Sequence, residues 1–300
     1  MSLAKLKEVC SRCKASSIKT YWTNIKALSR LAGLEDVPAK HDWLNDRLLK
    51  KIKSEPLNRF KRYASAGVKA AQMYKVKKPK WTDAMSVSTQ RYATIRETGK
   101  RTKREDLNWP KEGYKALSTL AKDLFSEVEY LEHKKTWTTA QLYHYQKYLI
   151  VLFYSKHALR GDLADVRLKR PFGPNFLKKK GKTYELTIGE HKTARSHGSI
   201  VIQLGEELSS KLNIFLPKVR KLTTHGFLLS TLRTRNRLTR QDMLRLIRNT
   251  TKDRLGKNIG VQLIRVLKVT SAAQQIDEAN KLQQEMGHSS RMQKKYISRI

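Results

Sequence analysis

Apolar residues follow two different spacings in this sequence, and the change between them limits the folds that the chain can adopt. Over most of the chain they recur every three or four residues, as in 16–32 (SSIKTYWTNIKALSRLA), which is the spacing of an amphipathic helix. Two short segments, 184–190 (YELTIGE) and 198–204 (GSIVIQL), instead have the character of strands. The turn HKTARSH joins them, so we expect one β-hairpin with a basic tip in a largely helical chain.

The helical regions are separated by a stretch that breaks the periodic pattern. The segment KRTKREDLNWPKEG is highly charged and contains a proline and a glycine, which interrupt helices. We place a domain boundary there, between a helical basic domain at 1–105 and a second domain at 106–300. In the second domain, capping patterns at Thr138–Gln141 and Thr239–Asp242 predict two helix starts, the first leading into a central buried helix. The predicted fold is mostly α with a small antiparallel β-sheet in the C-terminal domain.

Basic residues outnumber acidic residues by more than two to one. The 300 residues include 63 Lys and Arg against 26 Asp and Glu, which gives a formal net charge of +37 and a pI of about 10.3. Such a chain repels itself unless a polyanion neutralises it, so we expect a nucleic acid partner rather than a small neutral substrate. The charge also fits a ribosome-like or chromatin-like protein, but 39% hydrophobic residues predict a folded protein rather than a basic tail.

The cysteines and the apolar runs restrict the compartment. Cys10 and Cys13 form a CxxC pair with no second ligand pair nearby, so we interpret them as free thiols in a reducing compartment. No apolar run has the length of a membrane span, and the N-terminus lacks a secretory apolar core. We therefore expect an intracellular protein with no membrane partner. The clusters KKIK, KVKKPK and KRTKR fit either nuclear signals or phosphate contacts.

Five side chains of the second domain stand out by their type and position. Arg160 follows the long apolar helix, Lys192 lies in the hairpin turn, Arg265 lies among apolar residues in VQLIRVL, and His288 and Tyr296 lie near the end of the chain. Four of them have a simpler explanation when taken alone, such as a helix cap, a surface cation or a packed aromatic ring, whereas Arg265 among apolar neighbours needs a partner. The set contains no acidic cluster for a metal. Because single residues of these types are inconclusive, the significance of the set depends on the combination.

This combination suits phosphoryl transfer without a metal ion. Two arginines can bind the non-bridging oxygens of a phosphate through bidentate forks and stabilise the charge of the transition state. A tyrosine can attack the phosphorus and form a covalent ester. A lysine can protonate the departing sugar oxygen, and a histidine can hydrogen-bond the phosphate or help to deprotonate the tyrosine.

The order of these motifs resembles the tyrosine recombinase, or phage-integrase-like, family. Arg160 in HALRGDLADVRL, Lys192 in EHKTARSHG, Arg265 in VQLIRVL, GHSS at 287–290 and Tyr296 follow one another as in that family. The segment LRGDLADVRL is more similar to the versions in eukaryotic mobile elements, large DNA viruses and virophages than to bacterial ones. The resemblance covers about 108–300 and implies an α+β catalytic domain. Residues 1–105 resemble the family's core-binding domain only in being helical and basic.

The resemblance implies an activity and partners. Tyr296 would attack a backbone phosphate of duplex DNA, giving a 3′-phosphotyrosyl link, and Lys192 would be the general acid. Arg160, Arg265 and His288 would hold the phosphate. No metal, ATP or small-molecule substrate is expected, since the covalent link conserves the phosphoester energy. The expected assembly is a tetramer of synapsed dimers that integrates or excises a mobile element, in a host nucleus or a viral setting.

The sequence departs from the family's pattern at several points. Gln262 stands three residues before Arg265, where the family has His or sometimes Lys, and glutamine can donate a hydrogen bond but carries no proton to transfer. Either Asp162 or Asp165 could support Arg160. Only four residues follow Tyr296, which fits a truncated chain, a natural short form or a different mode of assembly. Candidates ranked lower are Arg195, as a rival to Lys192, and Tyr184, His191, His197 and His225.

Two other functions remain open at this point. A type IB topoisomerase uses a similar set of side chains, but acts as a monomer that relaxes supercoils without a partner site. The chain length and the helical N-terminal domain favour the recombinase. A DNA-binding relative without catalysis would explain Gln262 and the short C-terminus. A Tyr296→Phe change separates an enzyme from such a binder.

Overall fold

The structure is a computed structural model that describes residues 2–13, 15–168 and 173–285, with only the backbone described for Arg96 and 277–285. The chain divides into two compact units, Met1–Arg101 and Thr102–Ile300. The predicted boundary, after residue 105, lies four residues beyond this division, inside a short helix of the second unit, Lys103–Asn108. The roles assigned to the two domains, DNA binding and catalysis, stay predictions.

The described part of the first unit is built from five helices. They are α1 (Leu3–Val9), α2 (Ala15–Leu31), α3 (Asp46–Lys53), α4 (Leu57–Met73) and α5 (Pro79–Glu97). Helix α4 contacts all four of the others. Its buried residues include small ones, Ala64, Ala66, Gly67, Ala70 and Ala71, which let the neighbouring backbones approach closely. The helix predicted at 16–32 is confirmed as α2, and α5 begins at a proline whose fixed φ suits a first helical turn.

The contact between Gly67 and Trp81 makes α4 and α5 sensitive to a single added methyl group. A Cβ atom at Gly67 would overlap the ring of Trp81, which is buried. We expect Gly67→Ala to lower the free energy of unfolding by about 1–3 kcal/mol, because overpacking forces the helices apart. Urea unfolding followed by far-UV circular dichroism measures this. Trp81→Leu in the same chain should recover part of the loss, and a Gly67→Ala chain as stable as wild type would contradict the packing.

The described part of the second unit contains seven α-helices. They are α6 (Lys103–Asn108), α7 (Lys115–Val128), α8 (Thr139–Lys156), α9 (Ala194–His197), α10 (Glu206–Leu222), α11 (Arg240–Leu255) and α12 (Val261–Glu285). The capping box predicted before α8 is present, since the Thr138 and Gln141 side chains each accept from the other's backbone N–H. The predicted cap of α11 is also present, at Thr239. Residues 148–155 of α8 are all buried, so the prediction of a central helix is confirmed.

Three antiparallel strands form the sheet of the described residues, in the order β1 (Asn175–Lys180), β2 (Thr183–Ile188) and β3 (Ile200–Leu204). The predicted hairpin is β2–β3. Strand β1 was not predicted. The described chain is 62% helical with this one small sheet, so the mostly α fold class is confirmed. Whether the second unit has the recombinase fold stays a prediction.

The core of the second unit lies between α8, α10 and the sheet. Leu186 and Ile188 of β2 belong to the same apolar cluster as Leu149 of α8 and Phe215 of α10. Because the sheet is held by this core, the loop between β2 and β3 starts from a fixed base. Within residues 2–13, 15–168 and 173–285, no helix is both long enough and apolar enough to cross a membrane.

Candidate phosphate-binding site

Two buried tyrosines fix the backbone at Arg160. This residue follows the end of α8 and occupies the N-cap position of a 3₁₀ segment, Gly161–Asp165. The Tyr154 hydroxyl donates to the Arg160 carbonyl at 2.8 Å, and the Tyr114 hydroxyl donates to the Tyr154 carbonyl at 2.8 Å. Burial raises the pKa of Tyr114 to about 12 and raises that of Tyr154 as well, so both phenols stay protonated donors near neutral pH. The half-buried side chain of Arg160 therefore starts from a fixed backbone position.

A hydrogen-bond chain connects Arg160 to the loop that carries Lys192. The Arg160 Nη1 atom donates to Thr193 Oγ1 at 3.3 Å, so the Thr193 hydroxyl is free to donate onward to His191 Nδ1 at 3.3 Å. His191 Nε2 lies 2.9 Å from the Gly198 carbonyl, which only accepts, so this nitrogen carries the hydrogen. The chain places Arg160 beside the residue that follows Lys192. Lys192 itself is exposed.

A buried asparagine holds the other side of the same loop. Asn175, at the start of β1, accepts from the Glu190 N–H at 2.8 Å and donates to the Glu190 carbonyl at 3.3 Å. Glu190 lies two residues after the end of β2. The Asn175 side chain supplies the hydrogen bonds that a neighbouring strand would otherwise give to its backbone. Together with the bond from His191 to Gly198, it ties the loop at both ends. Sequence reasoning missed Asn175 because β1 was not predicted.

The buried carboxylate of Asp162 lies between cations. Asp162 Oδ1 is 3.1 Å from Nη1 of Arg240, the first residue of α11. Arg240 packs directly on Gly161, where an added Cβ would come within 2.9 Å of the Arg240 Nε atom. Burial raises the pKa of Asp162, and the charges of Arg240 and Arg160 oppose that rise. Asp165 pairs with Arg237, and among the described residues neither acid forms a hydrogen bond or ion pair with Arg160, whose charge acts on Asp162 from a distance.

Asp162 should make the stability of the fold depend on pH. Because its folded-state pKa lies above its ordinary value of 3.8, the folded chain binds this proton more tightly than the unfolded chain. Its contribution to stability is complete below pH 3.8 and is lost as the pH rises through the folded pKa. We expect the unfolding free energy of Asp162→Asn to rise relative to wild type over that window. Paired urea titrations at acidic and neutral pH measure the difference in unfolding free energy between the variant and wild type. If that difference moves in favour of wild type as the pH rises, pairing with Arg240 outweighs burial.

A second pair of candidate residues lies on the first turns of α12. Arg265 Nη1 donates to Gln262 Oε1 at 3.2 Å, and Arg265 is half-buried while Gln262 is exposed. The partner that we expected for Arg265 is therefore the glutamine that departs from the family pattern. One turn later, Lys268 Nζ lies 4.7 Å from the Tyr114 ring centroid. Burial and the charges of Lys268 and Lys156 lower the pKa of His157, so this part of α12 lies near the end of α8.

The structure thus forms two local pairs from the predicted residues. It brings Arg160 to the loop of Lys192, and it brings Gln262 to Arg265. Among the described residues, no hydrogen bond or ion pair joins one pair to the other. The remaining two predicted residues, His288 and Tyr296, lie outside the described residues.

Several lower-ranked candidates make contacts of their own. The Tyr184 hydroxyl donates to Asn213 Oδ1 at 2.8 Å from a buried position. His225 Nδ1 accepts from the Phe227 N–H at 3.1 Å and so shapes its own turn. Arg195 and His197 are exposed on α9. His191 is the candidate whose contacts reach Arg160, through Thr193.

Sequence reasoning also missed Arg240 and Thr193. A signal for Arg240 was present, because it directly follows the predicted cap Thr239. A cation in the first turn of a helix is disfavoured by the helix dipole, so an arginine there indicates an acidic partner from elsewhere. Thr193 carried no such signal, since its role depends on how the loop folds back toward Arg160.

The charge of the site is strongly positive. The charges of Arg240 and Arg160 act on the buried carboxylate of Asp162, and Lys192 is exposed on the loop joined to Arg160, so this surface favours a phosphate-bearing ligand. Within the described part of the chain, no three His, Cys, Asp or Glu side chains are grouped as metal ligands would be. In comparisons with known proteins, no family model matches the chain and no curated protein matches its sequence.

Proposed function

We propose that the protein is a site-specific DNA recombinase that cleaves and rejoins duplex DNA through a 3′-phosphotyrosyl intermediate. The observation that carries this proposal is the hydrogen-bond chain from Arg160 to the loop of Lys192. It joins Arg160, the proposed phosphate-binding fork, to the loop of Lys192, the proposed general acid, although the two residues are 32 positions apart in the sequence. The order of Arg160, Lys192, Arg265, His288 and Tyr296 in a chain of net charge +37 supports it further.

In the proposed reaction, the Tyr296 hydroxyl gives its proton to His288 as its oxygen attacks the scissile phosphorus. A bond forms from Tyr296 to phosphorus, and the bond from phosphorus to the 5′ oxygen breaks. Lys192 gives its proton to that departing oxygen, and the product strand ends in a free 5′-hydroxyl. The reverse attack by a 5′-hydroxyl restores the phosphodiester and releases Tyr296, so the cycle needs no external energy source.

The other candidate residues bind the phosphate in this scheme. Arg160, Arg265 and His288 stabilise the negative charge on its non-bridging oxygens. Gln262 holds Arg265 through its Oε1 atom, which leaves its amide N–H groups to donate to the same phosphate. Gln262 is thus an orienting contact where the family has a residue that can carry a proton.

The proposal includes a partner and an assembly. Duplex DNA is the substrate, and the basic helical unit at the N-terminus supplies further contacts to it. Two dimers on two DNA sites form a synaptic tetramer that integrates or excises a mobile element, in a nucleus or a viral setting. A membrane or a small-molecule substrate has no part in this reaction.

A nicked-duplex trap in EDTA tests the proposal. A pool of random-sequence duplexes with one nick releases a short 5′-hydroxyl strand after cleavage, so the covalent complex accumulates. We expect an adduct that survives denaturant and carries only a label placed on the 3′-phosphate side of the break. Dependence on a divalent metal, or a label on the other side, would contradict the chemistry. DNA binding with no adduct on any duplex would favour the DNA-binding relative.

The topoisomerase alternative predicts a different second result. A monomeric type IB enzyme relaxes supercoiled plasmid without a second site and yields no recombinant molecules. A recombinase joins strands from two duplexes. Sequencing the products of two differently tagged duplexes therefore distinguishes the two enzymes once an adduct has been found.

A further inference from the structure

The segment 231–240 (TLRTRNRLTR), here called the arginine loop, concentrates positive charge beside the candidate site. It joins a buried stretch that ends at Ser230 to the start of α11. Its four arginines, Arg233, Arg235, Arg237 and Arg240, are all exposed. None of them belongs to the set of residues assigned to the proposed reaction.

Two of these arginines fasten the loop to the segment that carries Arg160. Arg240 pairs with Asp162 at 3.1 Å, and Arg237 pairs with Asp165. Both acids belong to the 3₁₀ segment Gly161–Asp165, which begins directly after Arg160. The Arg237 guanidinium also lies 4.4 Å from the ring centroid of Phe227. The loop and Arg160 are therefore held on one short piece of the fold.

Hydrogen bonds within the loop fix its conformation. The Thr231 N–H donates to the Asn236 carbonyl at 2.8 Å, and the Asn236 N–H donates to Thr231 Oγ1 at 3.2 Å. At its base, the buried Gln146 side chain accepts from the N–H of Ser230 at 2.8 Å and donates to its carbonyl at 2.9 Å. Arg235 adopts φ 54°, a left-handed conformation that is uncommon for a residue with a side chain. The strain is held by this network, as is typical of functional loops.

The remaining two arginines have no side-chain partner in the part of the chain that the structure describes. The side chains of Arg233 and Arg235 make no hydrogen bond or ion pair with any other residue that the structure describes. Two exposed guanidinium groups on a rigid loop cost little entropy to bind an anion, because the loop is ordered beforehand. A guanidinium also matches the geometry of a phosphate better than an ammonium does.

We infer that the arginine loop binds the DNA backbone next to the phosphate held by Arg160, with Arg233 and Arg235 each neutralising one phosphate. The inference rests on the proposed function, because it takes duplex DNA as the ligand. It adds a surface that positions the DNA without taking part in the chemistry. Contacts of this kind fix register on the duplex and carry no sequence information.

The salt dependence of DNA binding counts such contacts. Fluorescence anisotropy of a short labelled duplex of random sequence, titrated with the full chain between about 50 and 200 mM salt, gives the slope of log K against log salt. We expect Arg233→Ala/Arg235→Ala to reduce that slope by about 1.8, since each neutralised phosphate contributes about 0.9. Arg233→Lys/Arg235→Lys keeps both charges and should keep the slope. Arg220→Ala/Lys221→Ala removes two exposed cations from the end of α10 and should change the slope less.

Each outcome bears on one of the two proposals. A slope that is unchanged in the alanine pair, or reduced no more than in the α10 pair, overturns the role of the arginine loop while the recombinase proposal stands on its own adduct assay. A wild-type chain that does not bind duplex DNA overturns both. Far-UV circular dichroism of each variant verifies that a reduced salt slope does not result from unfolding.

Discussion

Replacing Tyr296 with phenylalanine is expected to abolish the covalent protein–DNA adduct while leaving DNA affinity unchanged. The change removes one oxygen, which is the atom that forms the bond to phosphorus in the proposed reaction. Affinity should persist, because most of it comes from contacts of basic residues with phosphates. The measurement is the nicked-duplex trap, with wild type and variant at DNA concentrations that saturate both.

Tyr130→Phe provides the matched control for this substitution. Tyr130 is exposed, at 53% of its full surface, and lies outside the candidate site, so the adduct yield of Tyr130→Phe should equal that of wild type. Digestion of the wild-type adduct with trypsin, which cleaves after Lys and Arg, should leave the DNA attached to the peptide YISR, which contains Tyr296. If the Tyr296 variant forms as much adduct as wild type, the nucleophile lies elsewhere and the resemblance has misled us.

Replacing Arg160 with alanine should slow cleavage by about 10²–10³-fold, the usual cost of removing one donor to a developing negative charge. The structure connects Arg160 through Thr193 to the loop that carries Lys192. Its loss removes a fork of donors from the phosphate and one tie to the loop of Lys192. Single-turnover rates of adduct formation at saturating DNA measure the effect without interference from weaker binding.

Two further substitutions separate these contributions. Thr193→Val keeps the shape of the side chain but removes the hydroxyl between Arg160 and His191, so it reports the loop tie alone. Arg167→Ala removes a nearby exposed cation that lies 4.8 Å from the Phe227 ring centroid, and so controls for a general loss of charge. An Arg167 variant that slows cleavage as much as the Arg160 variant would show that charge, rather than position, is what matters.

Features set by neighbouring residues could be predicted from the sequence. The caps at Thr138 and Thr239 each depend on a partner three residues away, and the β2–β3 hairpin depends on alternation within one segment. Strand β1 was missed because its second half, Lys178–Lys180, is a run of exposed lysines that carries no apolar alternation. Its strand state comes from pairing with β2, which is a tertiary effect.

The candidate site likewise combines features that local sequence predicts with contacts that only the fold creates. Arg160 and Lys192 could be singled out by motif, but their connection through Thr193 required the fold. The sequence also left two acids, Asp162 and Asp165, as supports for Arg160. The structure pairs these acids with Arg240 and Arg237, which lie on a loop more than 70 positions away in the chain. Partnerships at that separation leave no local periodicity to detect.

The two ties on the β2–β3 loop, from Asn175 to Glu190 and from His191 to Gly198, determine when the loop becomes ordered. Fixing one residue's backbone costs about 1–2 kcal/mol of conformational entropy, and here that cost falls on folding rather than on DNA binding. In the proposed reaction, a DNA substrate therefore meets Lys192 on a loop that is already ordered. Substitutions at Asn175 or His191 should then weaken the fold and delay catalysis together, whereas substitutions at Lys192 should affect catalysis alone.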